Sequence, residues 1–276
     1  MKPYRKYEYA SISMHESEQL SALLRELIRR EPIEHVVETG TFEGLGSTRF
    51  LAEAFADTTL PTSFVTIEAS WRSWRRAKRN LRRFPFVQPL WGHSLEPRQA
   101  REFVEQDDVI RHHEQYPDVF IDDVDDPIAF YTRELSGELA GRLPIFRRLQ
   151  RAIDRSFHYA GDELLARSLR RVAHTNPLVV LDSAGGSGWL EFSVLMQTMR
   201  ERTFRLLLDD VHHLKHFRSL ESVRRDPAFE ILGLDEQHGW LLARHSPSRR
   251  PASQREDAMP YPPAVNVFPS RDVTEF

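Results

Sequence analysis

Apolar residues recur along the chain with two alternating rhythms. In ESEQLSALLRELIRR, residues 16 to 30, Leu20, Leu23, Leu24, Leu27 and Ile28 fall at helical spacing, and Pro32 ends the run. A short strand is expected over 33–38. A glycine-bearing turn follows, VVETGTFEGLGST at 36–48, and then a second helical pattern over 45–56. The cycle repeats with a strand at 63–68 (SFVTIE), a basic helix at 71–83 and a third strand at 86–90. The basic helix places Trp71, Trp74, Ala77 and Leu81 on one face.

Regularity then lapses. Residues 96–176 hold several helical segments and an acidic patch, IDDVDD at 121–126, before strands return at 178–182, 204–209, 229–234 and 239–244. The last two strands are separated by a hairpin-sized gap with Gly239 behind it. Strands written as continuous apolar runs and separated by helices predict a mostly parallel sheet covered on both faces, with one antiparallel strand from the hairpin. The expected division is one domain over 1–245, with 96–176 as a helical insertion or lid, and a flexible Pro/Arg/Ser-rich tail over 246–276.

In such open sheets ligands sit beyond the carboxyl ends of the strands, so the residues ending each strand are candidates. Those residues are Glu38, Glu68, His93-Ser94, Asp182 and Asp209-Asp210. Several acids around one crevice fit cations or hydroxyl-rich ligands; any one of them also suits a helix N-cap.

Composition narrows the field. The 276 residues carry a net charge of −3 and no cysteine, which excludes disulfides, thiolate metal sites and cysteine nucleophiles. The start, MKPYRKYEYA, has no apolar core of a secretory signal, and no run is long enough to span a bilayer; a cytoplasmic protein with no membrane partner is expected. WRSWRRAKRNLRR at 71–83 holds seven basic residues, yet its tryptophans share the apolar stripe, which leaves the arginines on a solvated face and argues against a nucleic-acid partner. The glycine spacing misses G-x-G-x-x-G, and no G-x-x-x-x-G-K-[ST] occurs, which counts against dinucleotides and nucleoside triphosphates.

Glu38-x-Gly40-x-x-x-Gly44, followed by Glu68 at the end of the second strand and by the closing hairpin, resembles the class I S-adenosylmethionine-dependent methyltransferases over roughly 15–245. The resemblance implies a Rossmann-like α/β fold: a mostly parallel seven-stranded sheet, an antiparallel final strand and a helical insertion between strands 3 and 4. It further implies that Gly40, Thr41 and Gly44 cradle the methyl donor by their backbone. Glu38 and Glu68 would accept hydrogen bonds from its amine and ribose, and His93 and Ser94 would flank its adenine. Within the family, Asp182, Asp209 and Asp210 resemble the magnesium ligands of metal-dependent O-methyltransferases, of the macrocin (sugar) type and more distantly the catechol type. The implied acceptor is a small hydroxylated molecule. The lysine base that catechol-type enzymes carry after the first metal-binding Asp is missing from Asp182-Ser183-Ala184-Gly185-Gly186, so His212 and His213 become the candidate bases beside Asp182. Metal-free methylation with a histidine base and a non-catalytic binding protein are the competing readings, and a homo-oligomer stays open. Trp189 is expected in the core, and Phe130, Tyr131 and Arg133 are expected at the acceptor.

Overall fold

The structure is a computed structural model, and it describes residues 14–135, 145–183 and 186–249. The expected tail therefore lies almost wholly outside the described residues, as do Ala184 and Gly185.

Eight strands form one sheet: β1 (His35–Thr39), β2 (Ser63–Glu68), β3 (Val87–Gly92), β4 (Tyr159–Gly161), β5 (Leu178–Leu181), β6 (Phe204–Leu208), β7 (Phe229–Asp235) and β8 (Trp240–His245). Their order across the sheet is β4-β3-β2-β1-β5-β6-β8-β7, and only β8 runs antiparallel to its neighbours. The order reverses between β1 and β5, which opens a crevice beyond their carboxyl ends. This is the expected Rossmann-like arrangement with one addition. The expectation was seven strands, whereas β4 adds an eighth at the margin, where it pairs with Trp91 and Gly92 of β3. Three residues are too few to announce a strand by alternation.

The helices are α1 (Glu18–Arg30), α2 (Ser47–Ala56), α3 (Trp71–Asn80), α4 (Pro97–Gln106), α5 (Asp108–Arg111), α6 (Pro127–Leu135), α7 (Ile145–His158), α8 (Leu164–Val172), α9 (Gly188–Met199) and α10 (Phe217–Arg225). The two faces of the central strands feed two cores. Val37, Val179, Leu181, Leu206 and Leu208 pack with α8 and α9, while Val36, Leu178, Val180 and Leu207 pack with α1 and α2. Burial on both faces is why these strands read as unbroken apolar runs.

Residues 96–176 divide between the layer covering the sheet and a separate excursion. Leu164, Leu165, Leu169 and Val172 of α8 lie in the main core, so α8 belongs to the layer covering the sheet. The excursion proper, α4 to α6, has its own small cluster around Val104, Ile110, Ile121, Tyr131 and Leu214. Asp126 caps α6, accepting the Ala129 amide at 3.0 Å, with Pro127 as the first helical residue.

At the far edge β7 carries a bulge between Ile231 and Gly233. Glu31, just past α1, accepts ion pairs from Arg205 of β6 and Arg244 of β8, which ties the first helix to the last strands.

Candidate functional site

The turn after β1 leaves the strand through three residues of positive φ: Gly40 at +87°, Phe42 at +50° and Gly44 at +70°. A Cβ on Gly40 would overlap the carbonyl oxygen of Asp182, so glycine there lets β1 and β5 end against one another. Gly44 serves packing: a Cβ would lie 2.8 Å from Leu81 Cδ1 and 3.3 Å from the backbone of Ala77.

The loop's amides are already engaged. The N–H groups of Gly40 and Thr41 both donate to the Ile67 carbonyl, and that of Gly44 to the Thr41 carbonyl. The Thr41 hydroxyl meets that of Thr66 at 2.6 Å. Those donors hold the loop's own shape, so Gly40, Thr41 and Gly44 could line a ligand by their backbone surface but not by these N–H groups.

Glu68, half-buried at the end of β2, closes the turn. Its two oxygens accept the amides of Phe42 and Ser70, each at 2.7 Å. Burial pushes its carboxyl up to about 7 against those two bonds. Each oxygen has a second lone pair, so the carboxylate can still accept from a pair of hydroxyls.

Glu38 behaves differently from the expectation. It is fully buried, and neither carboxylate oxygen has a hydrogen-bond partner in good geometry among the described residues. Burial pushes it up to about 7, with the nearby hydroxyls of Thr66, Thr48 and Ser47 opposing and the charge of Asp182 adding to the rise.

His93 and Ser94, expected beside an adenine, both have partners within the protein. His93 Nδ1 lies 3.1 Å from both the Tyr159 hydroxyl and Asp162 Oδ1. Burial holds its pKa below the usual histidine range despite Asp162. The Ser94 hydroxyl donates inward to Glu191 of α9. Glu191 is fully buried and also accepts the hydroxyls of Thr39 and Ser183, both at 2.8 Å. Burial raises its carboxyl, and the three hydroxyls offset part of the rise. One carboxylate thus fastens together the ends of β1, β3 and β5. Its only mark in the sequence is an acid inside the otherwise apolar GWLEFSVLM.

On the other side of Gly40, Asp182, Asp209 and Asp210 converge as expected. Ligand-capable oxygens of the three lie within 4.8 Å of one another. Asp210 holds φ at +53°, a conformation that Asp tolerates better than most residues. Among them stands a residue not singled out from the sequence: Lys215, 5% exposed, donates to Asp210 Oδ2 at 2.8 Å and to Asp182 Oδ1 at 3.2 Å. Burial alone would lower this ammonium's pKa, but Asp210, Asp182 and Asp209 together hold it well above its ordinary value. Asp182 and Asp209 nevertheless stay raised, chiefly by burial. One cation does not neutralise three acids.

The expectation that His213 is a free base is corrected. Its Nδ1 accepts the Lys215 amide at 3.1 Å, so Nε2 carries the proton and points at Asp122 Oδ2, 2.8 Å away. Neither nitrogen faces the crevice with a free lone pair. His212, half-buried beside it, gives its carbonyl to the Phe120 amide at 2.9 Å. Asp122 belongs to the acidic patch. Burial would raise it, yet the bond and charge of His213 prevail and hold it below the usual carboxylate range.

Tyr131 is likewise corrected: it is fully buried, its hydroxyl accepts the Asp122 amide at 3.2 Å, and its ring backs Gly186. Trp189 packs as expected, stacked on Phe192 with centroids 5.6 Å apart. The insertion therefore forms one wall of the acid cluster, held there by Asp122 and Tyr131.

No protein-family model matches this chain, and no curated protein matches it in sequence. Its fold is similar to solved structures at a TM-score of 0.42. Cofactor-bound Rv0187 from MTB is 15% identical and covers 84% of this chain and 81% of its own. The O-methyltransferase TomG from Streptomyces achromogenes, in complex with SAM, is also 15% identical and covers 83% and 81%. An O-methyltransferase from Bacillus cereus in complex with SAH is 14% identical and covers 86% of each chain. Likeness at this level leaves the chemistry to this chain's own residues.

Proposed function

We propose that this chain is an S-adenosylmethionine-dependent methyltransferase that methylates a hydroxyl on a small, sugar-like acceptor. The observation that carries the reading is the half-buried Glu68, placed where a loop of positive-φ residues turns over the carboxyl ends of β1 and β2. A carboxylate accepts both hydroxyls of a ribose diol at once. Behind it, the buried Glu38 adds an acid rather than a cation, which suits a sulfonium better than a pyrophosphate.

In the proposed reaction the acceptor oxygen attacks the methyl carbon in line, the carbon–sulfur bond breaks, and the thioether leaves. The acceptor's proton goes to Asp182 Oδ2, because Oδ1 is engaged by Lys215 and His213 has no open nitrogen. Positioning supplies most of the catalysis. Lys215 fixes the rotamers of Asp182 and Asp210, and Asp122 with His213 fixes the wall beside them.

The acid cluster also fits a divalent cation: its donors are hard oxygens, and its negative charge exceeds what Lys215 supplies. Asp182, Asp209 and Asp210 would hold magnesium, which when bound lowers the pKa of a hydroxyl beside it. The Lys215 ammonium favours a second reading, methylation without metal, because it already bridges two of the three carboxylates.

Calorimetric titration with S-adenosylmethionine, against NADH as control, tests the cofactor. Micromolar binding is expected for the methyl donor alone, weakened at least a hundredfold in Glu68→Ala; binding of NADH alone overturns the reading. Transfer to a panel of sugars with and without a chelator then separates the two metal readings.

A further inference from the structure

Helix α7 is set on the protein the wrong way round. A surface helix ordinarily buries its apolar stripe and shows its polar face. Here the inward contacts are polar. Asp154 accepts the Trp71 indole N–H at 2.8 Å, Gln150 donates to Asp154 at 3.1 Å, and His158 lies against Trp74, centroids 5.5 Å apart. The apolar stripe Leu149, Ile153 and Phe157 is left 65%, 47% and 78% exposed.

Basic residues gather on the neighbouring side of the helix, toward α3. A cleft of about 290 Å³ between α3 and α7 is lined by Arg75, Lys78, Arg79, Arg82 and His158, with Asp154 at its base. Asp154 accepts from Trp71 and Gln150 and lies 3.9 Å from Arg75, so it answers one of the cleft's cations and leaves the others. Lys78, Arg79, Arg82 and Arg148 have no carboxylate partner among the described residues. All of this sits on a chain of net charge −3, so the positive charge is local.

From this we infer that the α3–α7 face docks onto an anionic membrane surface, with the cleft taking lipid phosphate groups and Leu149, Ile153 and Phe157 entering the boundary of the acyl region. Exposed large apolar side chains on a cationic amphipathic helix have that use. Basic residues next to it add attraction to anionic headgroups. RNA would engage the cleft but give the apolar stripe nothing to do. A second copy meeting this face with its own would set positive charge against positive charge. No helix among the described residues is long and apolar enough to cross a membrane, and none is needed for attachment at the surface.

The test is co-sedimentation of the full chain with phosphatidylcholine vesicles, with and without phosphatidylserine. Sedimentation is expected only with the anionic vesicles and is expected to fall as salt is raised. Phe157→Asp should abolish it, and Arg79→Gln and Arg82→Gln should each weaken it about fivefold. Circular dichroism and the binding of S-adenosylmethionine should be unchanged in these variants. Equal sedimentation with neutral vesicles, none with either, or no effect of Phe157→Asp overturns the proposal. So does retention of an RNA oligonucleotide that Phe157→Asp leaves intact, or a dimer in light scattering that Phe157→Asp dissociates.

Discussion

Lys215 shows how one residue can stay hidden in a sequence and still govern a site. It follows Asp209-Asp210 closely, yet its partner Asp182 is 33 positions away, and nothing in DDVHHLKH says which way its side chain turns. One signal was available: the chain has 38 basic residues, and only Lys2, Lys6, Lys78 and Lys215 are lysine. A compact ammonium can stand among three carboxylates where a planar guanidinium would need room. Lys215→Met should destabilise the fold by about 3–5 kcal/mol at neutral pH by leaving buried acids uncompensated. Magnesium should raise the melting temperature of the variant more than that of the wild type, read by calorimetry; no difference would remove the cation site from the proposed function. Glu38 makes a second prediction. Its folded-state pKa of about 7 stands above its ordinary 4.5, so the protonated acid favours the fold. That contribution is complete below about 4.5 and is lost as pH rises through about 7, a change of a few kcal/mol. Glu38→Gln should flatten this part of the stability–pH curve, measured by urea unfolding across the range.

Among the elements, those buried on both faces were legible and those built by small local choices were not. The strand SFVTIE appears where its apolar run places it, as does the helix begun by Ser70 and Trp71. The strand ends named the acid cluster correctly because topology alone brings β5 and β6 side by side. Legibility failed where a polar atom had several partners within reach. Ser94 could have faced the crevice and donates instead to Glu191; His213 could have been a base and is held between Lys215 and Asp122. Both outcomes follow from the rule that buried polar groups find partners, but the partners lie 97 and 91 positions away. The junction of β1 with β5 is the element-scale weak point. Gly40→Ala combines a φ of +87° with an overlap on Asp182, so a loss of more than about 2 kcal/mol is expected in chemical denaturation. An unaltered midpoint would mean that the turn has another conformation open to it.

Taken whole, the molecule is held by ties between parts remote in the chain. Glu31 answers Arg205 and Arg244, 174 and 213 positions on, and the Arg205 side chain is only 6% exposed. Glu31→Ala strands that guanidinium, and a cost of about 3 kcal/mol is expected, with a single cooperative transition if α1 and the β6–β8 strands unfold together. Two separate transitions in calorimetry would show that they do not. The sheet's margins have a consequence of another kind. A strand at the rim of a sheet offers unpaired amides and carbonyls to any passing chain, and long flat rims invite fibrils. On one side the rim is β4, three residues ending in a glycine at φ +101°; on the other it is β7, bent by its bulge. Neither gives an incoming strand a straight ladder to continue, so the folded chain is protected against edge-to-edge assembly even when concentrated.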